Sequence, residues 1–521
     1  MSDKVIVTNL AVLKQKYGAG FKKIHAAIQA LIAADKARGI RTRLVALDDP
    51  GAMKKLKAPP VVKPRNPMQN KQAIDGVYRA LLPDYVLLLG ATDVIPHQDL
   101  KNPVHIKDNP DGDEDLRAFG DLPYACEAPY SRRPEDFVGP TRVVGRLPDI
   151  TGAGDPRYLV ALLDAAARWK SSPRSDYTPH LAISAAVWKG STAMSVDKLF
   201  GSSKGLQLSP AKGPKWTPKQ LSARSHFINC HGATLDSHFF GEHKDEFPVS
   251  HDASFLNGKI RPGTVAAVEC CYGAELYDPS GLPGHQAGIC NVYLGCGAYG
   301  YLGSSTIAYG PEDDNGGADL ICQFFLRRVL EGASLGRAAL EARQEFAQAP
   351  AELDPFDLKT LAQFHLLGDP SIHPVASAAP HALFPKAKAF LAAAAGALVD
   401  RGHRRRQLFT KGLWLAQKLS CVRTGALRQA APAVRTVMER MARARKIRPA
   451  GMLSFAVRHP ASPKPARKAL TAAKLAPPPP SSIHVVLGRK KMRHAPAPQI
   501  SALVAREVAG KIVSVRELFS R

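Results

Sequence analysis

Short apolar runs alternate with amphipathic stretches over the first 375 or so residues of the chain. Residues 1–58 open with the run VIVTN, continue in an apolar stripe of helical period over 19–37, and close on TRLVAL at 42–47. That order predicts strand, helix, strand. Lys57-Ala58-Pro59-Pro60 and Pro64 then interrupt the pattern as a linker does. From Lys71 a helical period runs towards Pro83, followed by YVLLLG at 85–90, RVVGRLP at 142–148 and a further helix over 155–170. These complete a first α/β unit over 59–176. After SSPRSDYTP a second unit, 177–376, supplies HLAISAAVW at 180–188, SHFINC at 225–230, TVAAVEC at 264–270, AYGYLGS at 298–304 and FHLLGDPSIHP at 364–374. Gly332 and Gly336 interrupt the helical stretch 316–349, and the 364–374 run reads as the closing strand. Strands apolar along their whole length, alternating with helices, predict mostly parallel sheets flanked by helices: an α/β protein of two consecutive units.

The remainder reads differently. Residues 377–458 are rich in Ala, Leu and Arg with helical periodicity, 459–482 are Pro- and Ala-rich, and 483–521 form a last basic segment with room for a hairpin. From residue 376 onward there are 29 Lys+Arg against 4 Asp+Glu, whereas the rest carries 42 against 41. The net charge of +26 therefore belongs to a basic C-terminal extension on a near-neutral body. Such an extension suits an anionic partner: nucleic acid, an acidic membrane surface or an acidic protein. Three roles are open for it: a solubilising extension, a tether, or an autoinhibitory segment cut by the enzyme itself. No apolar run has the roughly 18–20 residues that span a bilayer. No secretory signal is evident at the start, and eight cysteines in 521 residues do not suggest a disulfide framework, so a cytoplasmic location is expected.

Candidate chemistry sits at the ends of two apolar runs. In open α/β sheets, ligands bind outside the carboxyl ends of the strands. His231 and Gly232 follow SHFINC directly, and Cys271, Tyr272 and Gly273 follow TVAAVEC. If the two strands are neighbours, their ends lie about 4.8 Å apart. A free thiol is only a few per cent thiolate at neutral pH, so an adjacent imidazole is what a nucleophilic cysteine requires. Gly232 omits a Cβ where a substrate main chain would approach, and its N–H together with that of Cys271 would form an oxyanion hole.

Apolar strand–His–Gly followed by apolar strand–Glu–Cys–Cys–x–Gly resembles the caspase–gingipain fold of cysteine peptidases. ECCYG at 269–273 is similar to the nucleophile motif of metacaspases, where the second of two adjacent cysteines attacks; this implies Cys271 as nucleophile and His231 as base. DYVLLLGATDVIP (84–96), DLPYAC (121–126), VVGRLPDIT (143–151), GSSTIAYG (303–310), SLGRAALEARQEF (334–346) and HLLGDPSIHP (365–374) resemble gingipain-family segments in content and order. The resemblance covers roughly residues 60–375 and not the extension. It implies a cysteine endopeptidase acting on polypeptides with no cofactor; gingipains are secreted, and because no export signal is evident in this sequence an intracellular enzyme is expected instead. The family's supporting glutamate has no counterpart, since Val187 and Trp188 stand there; the pair then works as a dyad, or with an unassigned third group, Asp236 being near in sequence.

Glu269 shares a strand face with Cys271, and the resemblance places it in the primary specificity pocket, favouring Arg or Lys before the scissile bond. Ser304, Ser305, Thr306 and Tyr309 resemble the other pocket wall. The acidic loop 107–121 invites calcium without matching EF-hand spacing. His238, His243 and His251 lack the spacing of a zinc site, so no metal site is assigned. Two other function classes remain open: a catalytically silent binding module working through the basic extension, and a thiol hydrolase or transferase acting on a non-peptide acyl group.

Overall fold

The computed structural model describes residues 2–107, 112–376, 390–427, 429–445, 447, 451–459, 480–490, 492, 494–497 and 499–521. Most of the Pro-rich stretch 459–482 lies outside the described residues.

Ten strands form one sheet. In chain order they are β1 (Lys4–Thr8), β2 (Thr42–Ala46), β3 (Tyr85–Leu89), β4 (Val144–Leu147), β5 (His180–Ala185), β6 (Gln207–Ser209), β7 (Ser225–Asn229), β8 (Val265–Val268), β9 (Gly300–Ser304) and, after the two-residue β10 (Tyr309–Gly310) of a second sheet, β11 (Phe364–Gly368). Their spatial order is β2-β1-β3-β4-β11-β9-β8-β7-β5-β6. The two expected units are thus halves of a single sheet, mostly parallel as their fully buried strands require. The 364–374 run closes no edge. It is the seam, antiparallel to β9 (Leu302 opposite Leu366) and parallel to β4 (Leu367 opposite Arg146). Helices pack on the sheet, among them α1 (Phe21–Ala37), α2 (Pro67–Leu81), α3 (Arg157–Arg168), α4 (Lys189–Phe200), α5 (Gly317–Leu330), α6 (Leu335–Gln348) and α7 (Pro355–Gln363). The stretch 316–349 is two helices. The first ends before Gly332, whose φ of +88° suits glycine.

The C-terminal extension is not a helical tail. Besides α8 (Phe390–Lys418) and α9 (Pro432–Ala444), it holds β12 (Cys421–Leu427), β13 (Met452–Arg458), β14 (Ser481–Lys490), β15 (Gln499–Val508) and β16 (Lys511–Ser520). These make an antiparallel sheet in the order β10-β16-β15-β14-β13-β12, so its first strand comes from the α/β body. β15 is buried on both faces from Gln499 to Ala505, and β14 turns Ile483, Val485 and Leu487 to one side and Val486 to the other, apolar positions that a basic overall composition obscures. α9 covers one face of this sheet through Val434, Met438 and Ala442, packed on Val486, Leu503 and Ala505. The other face joins the main core: Phe455, Ile483, Val485 and Val504 belong to the same buried cluster as Val5 and Leu87. Ion pairs add to the docking, Arg506 with Glu352 at 2.8 Å and Arg516 with Asp357 at 3.0 Å and with Asp354. A segment whose apolar residues complete the core is part of the fold, which excludes a merely solubilising appendage.

Candidate active site

β7 and β8 are direct neighbours, with Phe227 opposite Ala267 and Ile228 opposite Val268. The Glu269 N–H still donates to the Ile228 carbonyl at 2.9 Å, so the parallel register carries on past the assigned strand. It brings the His231 and Cys271 segments out side by side at the carboxyl edge. The chains approach closely here: a Cβ on Gly232 would lie 1.9 Å from the main-chain oxygen of Cys271. The glycine is therefore required by Cys271's own carbonyl, and not by a substrate backbone as expected. Tyr272 turns the chain sharply with φ +55°, and its N–H donates to Thr306 at 3.1 Å.

The imidazole of His231 is buried, and its Nε2 lies 2.6 Å from Oε2 of Glu242. Its ring packs against Trp188 and Phe247, with centroids 4.3 and 5.2 Å apart. Glu242 is brought there by a small antiparallel sheet in which His231 pairs with Phe240, and its own N–H donates to Ser209 at 3.1 Å. Asp236, the carboxylate weighed from sequence proximity, instead contacts His238 at 2.7 Å. The carboxylate on His231 is Glu242, a residue the sequence reading does not single out. Eleven residues separate it from His231, and only the hairpin pairing joins them.

Cys271 is 2% exposed. Its Sγ accepts the Ala308 N–H at 3.2 Å, and burial pushes the thiol up to about 12. The adjacent Cys270 is fully buried and its thiol is also pushed well above the ordinary range, again by burial.

The pocket beside the thiol holds Arg521. Its N–H donates to the Ala308 carbonyl at 3.0 Å, and its main-chain oxygen accepts the Cys271 N–H at 3.3 Å. Tyr309 pairs with Ser520 and Gly310 with Phe519, so the end of β16 lies along β10 as an added antiparallel strand. The side chain runs inward. Its Nη2 donates to both carboxylate oxygens of Asp319, each at 3.1 Å, and to the Pro311 carbonyl at 2.7 Å. The guanidinium lies 4.4 Å from the centroid of the Trp188 ring. Trp188, which stands where a supporting glutamate was looked for, thus carries His231 on its ring and a cation beside it. A Cβ on Gly310 would meet Nη2 at 2.3 Å, so the pocket's width depends on that glycine.

The carboxylate that takes the charge is Asp319 of α5, not Glu269. Glu269 is fully buried beside Asp319, to which its protonated carboxyl can donate a hydrogen bond. Burial, and then repulsion from Asp319, hold its carboxyl well above the usual range, with Arg521 acting in the opposite direction. Keeping Glu269 neutral avoids placing a second buried anion beside the Asp319–Arg521 pair.

The other wall is built from main chain. The hydroxyls of Ser304, Ser305 and Thr306 bond within the protein, to the Thr306 carbonyl, the Phe119 carbonyl and Gln363 respectively. The Tyr309 hydroxyl donates to Asp113 at 2.8 Å. What faces Arg521 is the backbone of Ala308–Gly310. The acidic loop supports this wall from behind. Asp115 accepts from the Ile307 N–H at 2.8 Å and the Tyr272 hydroxyl at 2.9 Å, and buried Lys359 pairs with Asp115 at 3.0 Å and with Asp113. One ammonium thus sits between two of the carboxylates that would have recommended calcium; residues 108–111 of that loop lie outside the described residues. Among the described residues, no group of three or more His, Cys, Asp or Glu is placed to hold a metal. Among them, too, no helix is long and apolar enough to cross a membrane.

No protein-family model matches the chain, and no curated protein matches it. Solved structures similar to it include one described as a structure of a protease, at a TM-score of 0.45 and 12% identity, covering 99% of this chain and 96% of the other. Another is a complex of the pro- and mature domains of Porphyromonas gingivalis RgpB, at the same TM-score and identity, covering 99% of both chains.

Proposed function

We propose that the protein is a cysteine-type endopeptidase that cleaves polypeptides after arginine, with Cys271 as nucleophile, His231 as base and Glu242 as the group that positions His231. One observation carries this reading. An arginine main chain lies between the Cys271 N–H and the Ala308 carbonyl while its guanidinium reaches Asp319, as the residue before a scissile bond has to lie.

The chemistry follows from that arrangement. With Nε2–H held by Glu242, Nδ1 is the nitrogen that takes the Cys271 thiol proton. Sγ then forms a bond to the scissile carbonyl carbon, and the electron pair of the C=O bond moves onto oxygen. The Cys271 N–H, which meets the Arg521 oxygen here, faces that oxyanion, and the Gly232 N–H is the second candidate donor. One such donor is worth about 3–4 kcal/mol of transition-state stabilisation. Collapse breaks the C–N bond as His231 returns its proton to the leaving amine, leaving a thioester. Water, deprotonated by His231, adds to the thioester carbonyl; the thiolate leaves and takes back the proton. The sum is one water added across one peptide bond.

Arginine is favoured over lysine by shape. A planar guanidinium can lie beside the Trp188 ring while donating to Asp319 and to the Pro311 carbonyl, whereas an ammonium is a point charge on a narrower stem. The reading is tested by labelling with an arginyl acyloxymethyl ketone peptide in an Arg521→Ala background, with and without Cys271→Ala. Cys271-dependent labelling supports it. Absence of labelling with arginine and with every other residue at that position would favour a silent binding module.

A further inference from the structure

We propose that the C-terminal sheet is an inhibitor in cis, whose strand β16 occupies the substrate track and whose Arg521 fills the arginine pocket. The inference rests on the peptidase reading for what the track binds, but the occlusion itself stands on geometry.

Phe519, Ser520 and Arg521 extend β10 in antiparallel register, which is how an extended peptide is captured on a sheet edge: main-chain bonds give affinity and one side-chain pocket gives selectivity. Arg521 by itself uses up what a substrate needs, namely the Ala308 carbonyl, the Cys271 N–H and the Asp319 carboxylate. With these three residues in place, Cys271 is all but sealed from solvent, at 2% exposure.

The strand is held there by the rest of the extension. β16 is paired along its length with β15, from Val508 opposite Lys511 to Ser501 opposite Phe519, and the Ile500 N–H donates to the Ser520 hydroxyl at 2.9 Å. The sheet is fixed to the body by Arg516 on Asp354 and Asp357 and by Arg506 on Glu352. At its far edge, the Leu353 N–H donates to Ser420 and the Val422 N–H to Leu353, at 2.9 and 3.0 Å. The anchoring acids 352, 354 and 357 lie just before and within α7, whose Lys359 braces the pocket wall from behind. The inhibitor and the wall it blocks thus share one support.

Tethering makes the block strong without unusual contacts. A segment joined to the body acts at an effective concentration of about millimolar or more, so an arginyl peptide added in trans at micromolar concentration competes poorly. Turnover then requires β16 to leave β10, and a substrate takes its place on the same edge.

The test uses the full-length chain, in wild-type form and as Arg521→Ala, which removes the pocket contact and keeps the sheet. Phe519→Pro is the second variant; it removes an N–H from the strand that pairs with β10. Thermal unfolding establishes that each variant folds. Two rates are then read: alkylation of Cys271 by iodoacetamide, located by mass spectrometry, and hydrolysis of an arginyl-aminocoumarin peptide. Both are expected to rise at least tenfold in either folded variant over wild type. Equal alkylation of Cys271 in wild type and in a folded variant would overturn the block. A rise in alkylation with no hydrolysis of any peptide would keep the block and sink the peptidase reading, so the two failures are distinct.

Discussion

Nε2 of His231 stands 2.6 Å from Oε2 of Glu242, with the imidazole fully buried and the carboxylate nearly so. A carboxylate at this distance fixes the tautomer and the ring's orientation, and it stabilises the imidazolium formed when the thiol proton is taken. Glu242→Gln in the Arg521→Ala background is therefore expected to lower kcat by about 10²–10⁴-fold with KM little changed. Glu242→Asp should recover part of the loss, since it restores the charge at a longer reach. Equal falls in both variants, tracking a loss of thermal stability, would reduce Glu242 to a structural residue.

The adjacent cysteines separate by role. Cys270 faces the core and Cys271 the pocket, as alternation along an extended chain requires. Cys270→Ala should keep arginyl-peptide hydrolysis within a few-fold while lowering stability by about 1 kcal/mol for the small void it leaves. Cys271→Ala should remove hydrolysis and ketone labelling together. Activity that survives loss of Cys271 and not loss of Cys270 would move the nucleophile.

Asp319 decides selectivity if the pocket reads arginine. Asp319→Asn leaves a guanidinium buried against a neutral amide, a change on the scale of about 3–5 kcal/mol for a broken buried pair. The expected outcome is a fall of about 10²–10³-fold in kcat/KM for arginyl peptides, with citrulline analogues much less affected. Comparing the two substrates isolates charge from shape. Loss of arginine preference in Glu269→Gln and not in Asp319→Asn would return the role to Glu269.

Glu275 ties the two reactive loops together, accepting from the Thr234 hydroxyl at 3.0 Å and the Leu235 N–H at 2.8 Å. Burial pushes its carboxyl up to about 7 from an ordinary 4.5. The folded chain therefore binds more protons than the unfolded one between those values, and this group's contribution to stability falls as pH rises through that window. Glu275→Gln, neutral throughout, should flatten that part of the slope. Denaturant midpoints at about pH 5 and about pH 8 for both chains measure it. Parallel slopes would mean that the carboxyl titrates normally.

Much of the main sheet was legible because its signals are local. Apolar runs such as YVLLL and VAAVE mark strands wherever they pair, and a reactive residue directly after such a run falls at the ligand edge of a parallel sheet. That is why Cys271 and His231 stand out in the sequence while their helpers do not. Glu242 reaches the imidazole through a hairpin, and Asp319, at the third position of α5, reads in sequence as a helix-capping acid. Trp188 registered only as a missing glutamate, since which ring lies against which cation depends on the packing of three separate segments.

The extension shows the same division most clearly. Its sequence determined a surplus of basic charge and, over 483–521, room for a hairpin. Only the tertiary structure decided where one of those charges lies. Arg521 lies 202 residues from Asp319 and meets it because a sheet built from the end of the chain borrows its edge from β10. A pattern of residue types fixes which segments extend and which face they bury. Which edge they join is settled by long-range pairing energies that a local pattern does not contain.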